Sequence, residues 1–155
     1  MPIGYLLLAF FRLDMDVGLV SCTKSKRKQA AKPADLYMES AFFRKAREYV
    51  EANHDTWYIL SAKHHLLNPD GSPIEPYDET LSGASVNRKR EWSQTVYEQL
   101  REERLLISGN TLVFHAGRDY YDELLPFLEE TPVQVETPTD GLQYGKTLAW
   151  YNERI

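Results

Sequence analysis

The chain has a single cysteine, Cys22, so no disulfide can form within it. At 155 residues it is long enough to build a core without covalent staples or a structural metal. Positive charge is not in excess: 18 Lys and Arg stand against 23 Asp and Glu, for a formal net charge of −5. That balance removes bulk attraction to a polyanion and confines any nucleic-acid contact to a local basic patch. No apolar run reaches the ~20 residues of a membrane helix. The stretch from Ile3 to Leu13 stops near half of that, has no Lys or Arg before it, and is a poor signal peptide. Three motifs are also missing: G-x-G-x-x-G, H-E-x-x-H and G-x-x-x-x-G-K-[ST]. Gly141 and Gly145-Lys146-Thr147 imitate the last, but only three residues separate the glycines. These absences argue against a dinucleotide fingerprint, a zinc-protease helix and a P-loop.

What is present is a recurrence. Four short apolar runs (Val17 to Val20, Trp57 to Leu60, Thr111 to Phe114, Val133 to Val135) are each followed by small, basic or imidazole-bearing residues. The segments between them carry helical spacing. Alternation of strand and helix predicts a parallel sheet with right-handed crossovers and helices on both faces. The expected fold is therefore α/β: a single doubly wound domain over residues 15–155, flavodoxin- or Rossmann-like, with about four mainly parallel strands in the order 2-1-3-4. Residues 1–14 read as an N-terminal apolar extension. With 43% apolar and 26% charged residues and one thiol, the chain reads as a globular protein of a reducing cytoplasm, with no membrane contact.

Asp16 to Ser21 is the first expected strand. Ser40 is placed to cap a helix to Asn53, in which Phe42, Phe43, Ala46, Tyr49 and Val50 share one face. Thr56 to Leu60 is the second strand. Residues 61–86 form a connection longer than the ~12–15 residues of an ordinary loop. Its Leu66, Leu67, Ile74, Tyr77 and Leu81 suit a lid over the sheet edge better than a solvated linker. Ser85 or Asn87 caps the next helix, to about Glu103. A third strand (Thr111 to Phe114), a short helix from Asp119 to about Leu125, a fourth strand (Val133 to Glu136) and a closing helix (Lys146 to Arg154) complete the order.

In open parallel sheets, ligands bind in the crevice outside the carboxyl ends of the strands. The residues expected there form four groups. Ser21, Cys22, Lys24 and Lys26 follow the first strand, where hydroxyls, backbone N–H groups and two ammonium groups suit a phosphate or carboxylate; Cys22 reads either as a nucleophile or as a small buried residue. Ser61, Lys63 and His64 follow the second strand, with Tyr77 and Asp78 closing the long connection; a Tyr and a carboxylate suit a planar ring and its N–H groups. His115, Gly117, Arg118 and Tyr121 follow the third strand, where Gly permits close backbone approach and Arg suits an anion. Gly141 and Gly145 precede the last helix. Lys63, His64 and His115 are the candidate catalytic groups, a histidine transferring a proton. No metal site is expected, since adjacent His64 and His65 on an irregular segment do not ligate one ion and the remaining candidates lack a ligand spacing. No cofactor is expected either.

Ser21-Cys22-Thr23-Lys24-Ser25-Lys26, Leu36-Tyr37-Met38-Glu39-Ser40-Ala41-Phe42, the Ser61 to Leu81 segment, Ala116 to Tyr120 and Gly141 to Trp150 together resemble an uncharacterised family of small prokaryotic domains, the DUF6884 type. The resemblance spans nearly everything after Met15 and brings no settled activity. The Ser61 to Leu81 pattern is also similar to the central motif of the YaaA-like peroxide-stress proteins, and more distantly to a domain of the tRNA-guanine transglycosylase and archaeosine synthase group. That similarity covers about a third of the chain and implies a nucleobase, nucleotide or nucleic-acid ligand.

Two expectations follow. In the first, the strand edge holds a pocket for a nucleotide, nucleobase or other phosphate-bearing small molecule, with glycosidic or base-modification chemistry as the enzymatic form. Lys24 and Arg118 would hold phosphate, Tyr77 and Asp78 the base or sugar, and His64 or His115 a proton. In the alternative, the chain is a non-catalytic DNA- or RNA-binding stress or repair accessory, using the Lys24 to Lys28 loop and cations on the helix after Asn87. Oligomeric state is left open by the sequence.

Overall fold

The computed structural model describes residues 14–155, so the apolar extension lies outside the described residues except for Asp14. Five strands, β1 (Asp16–Ser21), β2 (Thr56–Ser61), β3 (His65–Leu67), β4 (Thr111–His115) and β5 (Gln134–Glu136), form one sheet in the order β3-β2-β1-β4-β5. β1 pairs in parallel with β2 and with β4, and β4 in parallel with β5. The four parallel strands therefore stand in the expected 2-1-3-4 order, and the fold is a mixed α/β domain.

The antiparallel β3 was not expected. The chain leaves β2 through a tight turn and runs back along it, pairing Ser61 with His65 and Ile59 with Leu67. His65 carries the turn at a φ of 63°, a left-handed backbone in which histidine is enriched among non-glycine residues. Three residues are too few for a period-two pattern to declare itself.

β1 is central and buried on both faces, with Val17, Leu19 and Val20 fully enclosed. Two helical layers cover the sheet. On one side α2 (Ala41–Asn53) contacts α5 (Tyr144–Asn152); elsewhere α3 (Val86–Glu102) contacts α4 (Leu125–Leu128) and the turn at Arg118–Tyr120. Ser40 and Ser85 cap α2 and α3 by accepting the N–H of Phe43 and of Arg88, at 3.2 and 3.1 Å. α1 is a single turn, Pro33–Leu36, opened by a proline at its first position.

The helix expected from Asp119 to Leu125 is instead a 3₁₀ turn at Arg118–Tyr120, followed after further turns by α4. Pro126 supplies the reason: it has no N–H to continue an incoming helix, and it fits the first turn of a new one. The closing helix starts two residues earlier than expected, at Tyr144.

The long connection is packed along its length. Ala31 bridges to Ile74, Tyr77 and Leu81 are buried, and the Tyr77 hydroxyl sits between the Tyr37 hydroxyl at 2.5 Å and Ser61 Oγ at 2.7 Å. Burial holds the Tyr77 phenol well above its ordinary pKa.

Beneath the sheet on the α2–α5 side, His115 of β4 is fully buried, its Nδ1 2.7 Å from the Tyr151 hydroxyl and its Nε2 2.9 Å from His54 Nε2. Tyr49 packs edge-on against both rings, and Trp150 packs tilted against His115. Gly18 lies against this cluster. A Cβ there would come 2.8 Å from His54 Cδ2 and 3.0 Å from Val50 Cγ1, so the position takes no side chain.

Burial lowers the His115 pKa to about 3 and also lowers that of His54, against the opposing pull of Asp16, Asp55 and Glu136. The unfolded chain therefore takes up protons near pH 6.5 that the native imidazoles refuse. The histidine contribution to stability is complete above pH 6.5 and is lost progressively as the pH falls toward the folded values. Thermal melts from pH 7.5 to pH 5 are expected to show a falling midpoint, with a shallower fall in His54→Gln. Gly18→Ala is expected to destabilise the domain by roughly 1–3 kcal/mol in chemical denaturation, the usual range for overpacking.

Candidate functional site

A cavity of about 770 Å³ opens at the carboxyl edge of the sheet. Ser21 enters it from the end of β1, Thr23, Lys24 and Ser25 from the loop that follows, and Ala116, Gly117, Arg118 and Tyr121 from the turn after β4. Those two strands are adjacent, and their onward connections lead to opposite edges of the sheet, β1 to β2 and β4 to β5. The cavity thus lies at the topological switch point, where the outgoing loops diverge and leave a crevice. Thr139 to Tyr144 and Thr147 bring in the loop after β5 and the first turn of α5, while Ser40 and Phe42 bring in the start of α2.

The electrostatics of this cavity are asymmetric. Arg118 donates from Nε and an Nη to the two carboxylate oxygens of Asp140, at 2.8 and 3.2 Å, and the Tyr121 hydroxyl donates to the same carboxylate at 2.5 Å. These bonds hold Asp140 down at about 2, while burial and the carboxylate push the Tyr121 phenol up to about 12. The Arg118 fork is occupied within the chain. Lys24 has no ion pair among the described residues. α5 enters the cavity with no side-chain cap at Gln143, so its first-turn N–H groups supply positive potential there. Leu142 and Tyr144 stand exposed on the lip.

A second cavity of about 590 Å³ shares Thr23 and Lys24 with the first. Cys22, Lys26, Tyr120 and the segment Asp78-Glu79-Thr80 complete most of its wall, with Ser82. Cys22 Sγ accepts the Ala62 N–H at 3.4 Å and lies 3.4 Å from the Tyr120 hydroxyl, which itself accepts the Leu81 N–H at 3.5 Å. Lys26 Nζ lies 4.4 Å over the Tyr77 ring; burial lowers its pKa, with Cys22, Asp78 and Glu79 opposing.

Of the residues expected at the site, Ser21, Lys24, Gly117, Arg118, Tyr121 and Gly141 line the first cavity, and Cys22, Lys24, Lys26 and Asp78 the second. The others stand apart, each for a visible reason. The turn into β3 carries Lys63 to a separate cavity of about 350 Å³ with His65, Arg88 and Trp92. Ser61 is buried, accepting the His64 N–H on Oγ and the Trp92 indole N–H on its carbonyl, at 2.9 and 2.8 Å. Tyr77 is a buried anchor, and His64 packs edge-on against it at 5.5 Å. His115, the end of β4, points into the core rather than the crevice. Gly145 is exposed in the first turn of α5 and does not line the cavity, although Tyr144 and Thr147 do. Among the described residues, no group of three His, Cys, Asp or Glu is placed to hold a metal ion, and no helix is long and apolar enough to cross a membrane.

Sequence reasoning assigned no role at the site to Ser40, Phe42, Gln143, Tyr144 or Thr147, and carried Thr23, Thr139 and Asp140 only as members of the polar stretches that follow the strands. Two exposed apolar residues, Leu142 and Tyr144, between Gly141 and Gly145 were the available signal. The pairing of Asp140 with Arg118 left no local signal, because it joins residues 22 positions apart.

Residues 17–153 match the family described as "Family of unknown function (DUF6884)", and the chain belongs to that family. No curated protein and no solved structure matches it, so the similarity to YaaA-like proteins has no counterpart in these comparisons. Asp140→Asn is expected to bring the Tyr121 phenol down toward its ordinary pKa, because both the hydrogen bond it donates to that carboxylate and the neighbouring negative charge raise it. Tyrosine Cζ chemical shifts followed through a titration would check this; an unmoved Tyr121 would mean that burial alone sets its value.

Proposed function

We propose that this DUF6884 protein binds a nucleotide, or a related small molecule carrying a planar ring and a phosphate, in the cavity at the β1–β4 switch point. The observation that carries the reading is the meeting of three loops, after β1, β4 and β5, around one cavity of about 770 Å³ at that point. The unpaired Lys24 and the uncapped first turn of α5 supply the anion-binding pole. Phe42 and the exposed Tyr144 offer ring faces for stacking, and Asp140 and Gln143 offer polar edges for a base or sugar.

The proposal is one of binding. No imidazole lines this cavity, so the proton transfer assigned in the sequence reading to His64 or His115 has no carrier there. The nucleic-acid alternative is less favoured: on the helix after Asn87, Lys89 pairs with Asp119 at 2.7 Å and Arg90 with Glu123 at 3.0 Å, which neutralises two of the cations it needs.

Calorimetric titration with adenosine and guanosine monophosphates, free purines and inorganic phosphate tests the reading. Saturable binding of at least one nucleotide is expected. Lys24→Ala should weaken it about tenfold or more, the loss of one charge-assisted contact, and Tyr144→Ala by a similar factor through lost stacking. Absence of saturation with every member of the panel at millimolar concentration would remove the proposal.

A further inference from the structure

The second cavity carries charges of both signs that form no ion pair among the described residues. Its wall holds Lys24 and Lys26 on the loop after β1, and Asp78 and Glu79 on the long connection facing them. Among the described residues, none of the four takes part in an ion pair. The opposed groups are close enough to influence one another, since both carboxylates act on the Lys26 ammonium, yet they do not close onto it. Lys26 is held back by its seat over the Tyr77 ring, 4.4 Å from the centroid, and Tyr77 is fixed by its hydrogen bonds to Tyr37 and Ser61. Two separated poles of opposite sign across about 590 Å³ therefore persist without collapsing into a salt bridge.

We infer that this cavity is a site for a small zwitterion of the amino-acid class, its ammonium facing Asp78 and Glu79 and its carboxylate facing Lys26, with Lys24 at the border. A ligand of one sign would satisfy one pole and be repelled by the other, whereas a molecule with both charges answers each. The volume exceeds that of an amino acid backbone, so a side chain is accommodated against Tyr120 and Thr80. The two cavities meet at Thr23 and Lys24, which places the zwitterion beside the ligand of the first cavity rather than within it. The inference goes beyond the nucleotide reading and does not rest on it, since Lys26, Asp78 and Glu79 do not line the first cavity.

Titrating the full chain with free L-amino acids of neutral, acidic and basic side chain, with no nucleotide present, tests the site. At least one is expected to bind saturably, and its N-acetyl derivative and its carboxamide each to bind about tenfold more weakly or worse, each having lost one charged contact. Asp78→Asn combined with Glu79→Gln should weaken the free amino acid by the same order while leaving the thermal midpoint unchanged, because both residues are exposed. Lys26→Gln should weaken it by a similar factor. No binding by any free amino acid, or equal binding of the blocked derivatives, would overturn the assignment. Adenosine monophosphate titrated separately into the same variants reports on the first cavity alone, so failure of one site is not confused with failure of the other.

Discussion

Everything at the site depends on β1 being paired in parallel on both sides. Its neighbours fix it at two registers, Ser21 against Leu60 of β2 and Val20 against His115 of β4. Because the side-chain period of a strand is two, a slip of one residue on either side would exchange core and opposite-face residues along the strand. With the register held, β1 must end beside the end of β4, and the two loops that follow have nowhere to run but apart. The crevice is a consequence of strand pairing before it is a matter of which side chains line it.

The two compartments divide the work of the loop after β1. Ser21, the end of β1, and Ser25 line the first cavity, Cys22 and Lys26 the second, while Thr23 and Lys24 line both and form the partition. The Arg118–Asp140 pair does something comparable across the first cavity, tying the turn after β4 to the loop after β5. It lies exposed, and a pair so placed contributes little to stability; its effect is on loop placement.

The frame of the fold was legible because it rests on local signals. The parallel sheet followed from alternation of apolar runs with helical spacing, its 2-1-3-4 order is the one expected of a flavodoxin-like domain, and Ser40 and Ser85 marked helix starts by hydroxyls accepting N–H groups three residues on. What was not legible is non-local. β3 is three residues long and owes its state to Ile59 and Leu60 beside it. The placement of Lys63 follows from that turn, so an expectation of four converging strand ends became three. His115 illustrates a different limit. At a strand end, the sequence cannot tell a residue aimed at the crevice from one aimed at the core; here the Tyr151 hydroxyl and the His54 ring decide it. Asp140, conversely, became visible only through partners distant in sequence.

Tyr77 has a consequence for how this architecture can vary. Its hydroxyl is bound on two sides in the core, and the long connection is thereby fastened to the sheet at an interior point. The short stretch before it, Asp70 to Pro73 between the backbone hydrogen bonds of Pro69 to Ala34 and of Ile74 to Ala31, and the stretch after it, around Ser82 to Ser85, are separated into two spans. Residues added to or removed from the earlier span need not shift Asp78 and Glu79. Length is free to drift on one side of the rivet while the rim on the other side keeps its shape.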